Sequence, residues 1–213
     1  MNKFFLAIGT SAVVMLMAGC STTTTIIEPG RDTTNVRQEG HISSEEMRQA
    51  AQAAVNNAMH NARFILFLNQ YKSEKNNQYA IPLLKLDMAI NNTDDPDLNM
   101  DELTDFINMA LINAAKVDVT MAEGAGRTQA IGNSRKLERD QNFKQETVAK
   151  RGTLHAARLV MRPKVISNTT NDGTNKVIVT TFTMDMADIH TGTIIWKYSK
   201  QLGYQKVKGT FGW

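Results

Sequence analysis

Apolar residues stand at positions 47, 50, 51, 54, 55, 58, 59 and 62, three and four apart, behind Ser43 and Glu46 at the spacing of a capping box. This pattern predicts the clearest helix of the chain, with a buried face made mostly of alanine. The next stretch, FILFLNQY (64–71), is a continuous aromatic run that fits either the end of that helix or a buried strand. After a polar loop at 72–78, YAIPLLKLDMAI (79–90) predicts a strand, with Pro82 confined to its start or to an edge. NNTDDPDLN then reads as a turn. Asn99 and Glu102 cap a second helix that lines up Leu103, Phe106, Ile107, Ala110, Leu111 and Ala114. A short strand is expected at 117–121, a loop with helical pieces at 123–142, a helix at 145–156 and a strand at 158–167.

The last third carries the strongest β pattern. NTTNDGTN (168–175) has turn chemistry, KVIVTTFTMDMAD (176–188) is long and β-branched, and His190, Thr191 and Gly192 turn into TIIWKYSKQ (193–201). Two hairpins in series make an antiparallel meander. Helices before and between strands, followed by adjacent strands, predict an α+β domain in which a small mixed sheet carries flanking helices.

The N-terminus changes the picture. Lys3 precedes an apolar run from Phe4 to Met17, broken only by Gly9, Thr10 and Ser11. That run is shorter than the ~20 residues needed to cross a bilayer, so it reads as an export signal. Its last small residues, Ala18 and Gly19, abut Cys20, the single cysteine of the chain. This ending resembles the lipobox of bacterial lipoproteins, with Met17 where Leu is usual. The resemblance implies cleavage after Gly19 and acylation of Cys20, placing residues 1–19 in a signal peptide. Residues 20–40 are Thr-rich and aperiodic, a tether reaching at most about 70 Å extended and about 25 Å as a flexible coil. Residues 41–201 form the expected globular domain, and 202–213 a basic, aromatic tail with Tyr204, Lys206, Lys208, Phe211 and Trp213. One cysteine excludes internal disulfides and Cys-ligated zinc.

Hydrophobic content of 42%, charged content of 21% and a net charge of +3 are ordinary for a globular protein. An exported chain with this slight charge does not meet nucleic acid, so none is expected as a partner.

No catalytic pattern is complete. GTSAV and GNSRK lack the second glycine of a nucleophile elbow, and GAGRTQAIG around Gly124 and Gly126 fits neither phosphate-loop pattern. His41, His60, His155 and His190 are too far apart for a zinc motif. Asn91, Asp95 and Glu102 sit at positions 1, 5 and 12 of a calcium loop, but Pro96 replaces its glycine. No catalytic residue, metal or cofactor is therefore expected. Between Arg127 and Lys164 ten cations (Arg127, Arg135, Lys136, Arg139, Lys144, Lys150, Arg151, Arg158, Arg162, Lys164) oppose Glu138, Asp140 and Glu146. This segment is either a solvated face or one that steers the domain to an acidic partner or anionic lipid.

Three stretches resemble the LpoB family of outer-membrane lipoproteins, activators of penicillin-binding proteins: LLKLDMAINNTDDPDLNMDELTDFINMALINAAKVDVTMA (83–122), LHAARLVMRPKVIS (154–167) and FTMDMADIHTGTIIWKYSK (182–200). Asn91 and Thr93 after a strand, and Thr191, Gly192, Ile194 and Trp196 in the closing hairpin, carry most of the likeness, with Ile194 and Trp196 expected on one face of the last strand. Pro163 stands where the family tends to have a small strand residue. The resemblance implies a fold like the N-terminal domain of TolB. It also implies a non-catalytic regulator anchored to the outer membrane through Cys20, facing the periplasm and activating a bifunctional (class A) penicillin-binding protein. A similar closing hairpin in curli-type secretion lipoproteins gives the alternative, a structural subunit of an outer-membrane secretion or appendage assembly.

Overall fold

Ser43 caps α1 (Ser44–His60) as its spacing predicts: its side chain accepts from the Glu46 amide, while the Glu46 carboxylate accepts from the Ser43 amide. The computed structural model describes residues 42–171 and 175–208. The signal peptide, Cys20, the tether, His41 and the tail end beyond Lys208 lie outside them.

FILFLNQY belongs to neither of the structures expected for it. Asn61 leaves helical geometry at φ −69°, ψ 134°, and its side chain accepts from the Arg63 amide, so one residue ends α1 and caps a separate helix, α2 (Ala62–Glu74). Phe64 and Phe67 are the buried residues of α2. Apolar continuity here marks a short helix lying on the sheet, with Leu66 left exposed.

The expected strand over 79–90 is cut into β1 (Leu83–Leu86) and β2 (Ile90–Asn92). Pro82, with no N–H to donate, stands just before β1, and its carbonyl accepts from Asp118. Both strands run parallel to β4 (Leu159–Asn171), but three residues, Asp87 to Ala89, face two, Arg162 and Pro163. Pro163 is thus tolerated in an inner strand because the neighbouring strand is interrupted beside it. The Ala89 amide, released from the ladder, donates to the buried Thr104 hydroxyl of α3 (Met100–Ala114). Asn99 caps α3 by accepting from the Glu102 amide, as expected.

The sheet order is β3-β1-β4-β5-β6, with β3 (Asp118–Val119) parallel to β1 and β2 beside β4. β5 (Asn175–Asp188) and β6 (Thr193–Lys208) complete the antiparallel meander. Among the described residues this makes an α+β domain of four α-helices and a six-stranded mixed sheet. Two ends differ from expectation. β4 continues through Asn171, and β6 runs past Gln201 to Lys208, because β5 is long enough to pair with both.

The core lies between the sheet and α1–α3. Ala50, Ala51, Ala54 and Ala58 let α1 pack closely, and Phe64, Leu84, Leu111, Leu159, Phe182, Met184 and Met186 fill the layer. Each fully buried large side chain contributes about 1.5–3 kcal/mol. Ile194 and Trp196 do not share a face. Met186 pairs with Trp196 and Ala187 with Ile194, so Ile195 is an extra residue; this bulge buries Ile195 and Trp196 and exposes Ile194.

The crossover from β3 to β4 contains α4 (Ala130–Lys136) and one 3-10 turn (Leu137–Arg139), which are the helical pieces expected at 123–142. No helix forms at 145–156. Thr147 and Thr153 bond back to the carbonyls of Lys144 and Lys150, and Gly152 takes φ +78°, so local turns win. Leu84 and Leu86 face the helices, which turns Lys85 to the other face. There Gly124, at φ +73°, sits so close to β1 that a Cβ would lie 2.3 Å from the Leu86 carbonyl oxygen.

Candidate functional site

Phe67, Tyr71 and Glu74 recur at helical spacing along α2 and meet Arg158, which stands just before β4. The Arg158 guanidinium lies over both rings, 5.5 and 5.9 Å from their centroids. It forks onto Asp188, with Nε 2.7 Å from Oδ1 and Nη2 3.1 Å from Oδ2, while Nη1 donates to Glu74 at 3.0 Å. Asp188 is only 3% exposed. Its carboxylate also organises the β5–β6 turn, accepting from the His190 amide and the Thr191 hydroxyl, both at 3.0 Å. Gly192 closes that turn at φ +68°.

Burial works to raise the Asp188 pKa, but the bonds from Arg158, His190 and Thr191 outweigh it and hold the carboxyl below its usual value. The bond to Asp188 in turn raises the Arg158 pKa, against burial, with Glu74 adding to it. The fork and the third donor of Arg158 are all engaged, and both Asp188 oxygens are satisfied twice. The cluster therefore ties α2 to the hairpin and offers no free acid, base or nucleophile. Beside it runs an open groove of about 320 Å³, walled by Arg63, Leu66, Thr193 and Ile195.

The residues singled out in the sequence are scattered. His60 bonds the Asn56 carbonyl at an exposed helix end, His155 is exposed, and His190 lies in the turn. Among the described residues no three His, Cys, Asp or Glu side chains gather as a metal site. Asn91 closes its own loop, donating to the Asp95 carbonyl and accepting from the Thr93 amide and hydroxyl, while Glu102 accepts from Ser44 at 2.6 Å. Asn91 and Thr93 are thus fold residues. The ten-cation segment divides in two. Arg158 and Arg162 pair with Asp188 and Asp185 on the sheet, whereas Arg127, Arg135 and Lys136 line a separate groove on the crossover. Cys20 lies outside the described residues. The Arg158–Asp188–Glu74 cluster was hidden in the sequence because its members are 30 and 84 positions apart. The one hint was an aspartate two residues before the His-Thr-Gly turn.

Among the described residues no helix is long and apolar enough to cross a membrane. The family model described as peptidoglycan-synthase activator LpoB matches residues 46–202. No curated protein matches the chain. Among solved structures the chain is similar to the C-terminal domain of LpoB from Escherichia coli, at 16% identity over 76% of this chain and 98% of that one, TM-score 0.39. It is also similar to E. coli LpoB in its NMR structure, at 15% identity over 97% and 94%, TM-score 0.38. The C-terminal domain of LpoB from Salmonella enterica matches at 16% identity over 61% and 84%, TM-score 0.30. These likenesses are faint.

Proposed function

Because this chain belongs to the LpoB family of peptidoglycan-synthase activators, we propose that it is a lipid-anchored periplasmic regulator that binds a class A penicillin-binding protein and favours its active state. The match over residues 46–202 carries the reading, since it spans the helices, the sheet and the closing hairpin together. An activator of this kind shifts its target only by binding the active state more tightly than the inactive one, and a tenfold preference is worth about 1.4 kcal/mol. Cys20 supplies the anchor, in the outer membrane, and the domain faces the periplasm at the end of a tether of about twenty residues. The chain itself catalyses nothing and needs no cofactor. Among the described residues, the ionisable groups gathered at Arg158 are spent on internal bonds.

The test is glycan polymerisation by a purified class A synthase from the same cell, with and without the chain. The rate rises saturably with added chain, and the chain alone leaves peptidoglycan intact. An unchanged rate, or digestion by the chain alone, contradicts the proposal.

A further inference from the structure

The β3–β4 crossover carries charge that the rest of the domain does not balance. From residue 127 to 151 it holds seven cations (Arg127, Arg135, Lys136, Arg139, Lys144, Lys150, Arg151) against Glu138, Asp140 and Glu146. Lys144 pairs with Glu146 at 3.1 Å, whereas Arg127, Arg135, Arg139, Lys150 and Arg151 have no ion-pair partner among the described residues. On the neighbouring sheet, by contrast, Arg158 and Arg162 are neutralised by Asp188 and Asp185.

Two of the unbalanced cations, Arg127 and Arg135, border a groove of about 590 Å³ that Lys136, Thr128, Ile131 and Leu154 also line, with no carboxylate among its walls. The Arg135 Nε is buried there without a hydrogen-bond acceptor among the described residues, a donor that an incoming anion would satisfy. Met121, Phe143 and Leu154 on the same crossover are each about half exposed. The platform is fixed at both ends: the Ala157 amide donates to Glu123 at 2.8 Å, and Gly124 packs on β1. A surface that joins unpaired guanidinium groups to exposed apolar side chains fits the boundary of a bilayer, where phosphates meet acyl chains. Both features together need only a phosphate layer over acyl chains, with no matching shape on a partner.

We propose that the crossover is a second membrane contact, which docks the domain on a bilayer surface containing anionic phospholipid. A flexible tether alone lets the domain turn freely, so this contact would also set which way the domain faces on its anchor. It depends on the membrane location proposed above only for the nearness of the bilayer.

The test uses the full lipidated chain with a photoreactive benzophenone amino acid in place of Phe143. The chain is incubated with vesicles of phosphatidylcholine alone or mixed with phosphatidylglycerol. Irradiation is expected to couple residue 143 to phospholipid on the mixed vesicles, several-fold above the level on phosphatidylcholine. The ratio of docked to free domain should fall about fivefold for each cation removed. It should therefore reach the phosphatidylcholine level in the Arg127→Glu, Arg135→Glu, Lys136→Glu variant, and in the unaltered chain at high salt, where folding is not in question. Equal coupling on both vesicle types, or coupling indifferent to salt and to the substitutions, overturns the second contact. Sedimentation with phosphatidylcholine vesicles reads the Cys20 anchor separately, so either proposal can fail without the other.

Discussion

Trp196 of the last strand donates its indole N–H to the side chain of Asn57 in the first helix at 2.9 Å, across 139 positions of sequence. The ring is buried, stacks on Tyr198 with centroids 5.9 Å apart, and reaches α1 because the Ile195 bulge turns it inward. Trp196→Ala is expected to cost about 3–5 kcal/mol, as for other large-to-small changes in a core. Asn57→Ala, at an exposed position, should cost about 1 kcal/mol or less. Urea unfolding of the two variants checks the ratio.

Acid should loosen the joint between α2 and the hairpin. The Asp188 carboxyl is held below its unfolded value of 3.8. Its contribution is therefore fully present above pH 3.8 and is lost as pH falls through the lower folded value. Asp188→Asn should remove that part of the acid dependence from a series of melts. Asp188→Ala, which leaves Arg158 only Glu74 as an ion-pair partner, should cost about 3 kcal/mol near neutral pH.

Three small residues test the backbone, one in the opposite direction to the other two. Ala115 ends α3 at φ 52°, where glycine is the favoured residue, so Ala115→Gly is expected to stabilise by about 1 kcal/mol. Gly124→Ala should destabilise well beyond the ~1–2 kcal/mol of left-handed strain, because its Cβ would meet the Leu86 carbonyl oxygen. Gly152→Ala, at φ +78° with open space around it, should show the strain alone. Thermal melting of the three variants reads all of this.

The anchor has its own test. At high salt, where the crossover contact is released, Cys20→Ala should move the protein from the membrane fraction to the soluble one, and unchanged membrane association there contradicts acylation at that position.

Local chemistry was readable wherever one short segment decides the outcome. The Ser43–Glu46 box, the Asn99 cap, the His190–Gly192 turn and the meander all follow from neighbours in sequence. The misreadings come from distant partners. FILFLNQY is a separate helix because Asn61 serves two helices at once, and the strand at 79–90 is cut because Thr104, on α3, captures the Ala89 amide. Ile194 and Trp196 were expected to alternate onto one face, but strand periodicity does not reveal a bulge that depends on pairing with β5. The Arg158 cluster was invisible for the same reason. Its members meet only after the sheet has brought residues 74, 158 and 188 together.

The central claim is that this domain acts by touching a wall synthase, and crosslinking in intact cells followed by identification of the captured protein tests it most directly. The account predicts a class A penicillin-binding protein among the products. Capture that yields no peptidoglycan synthase, with the chain present at its normal level, would contradict it.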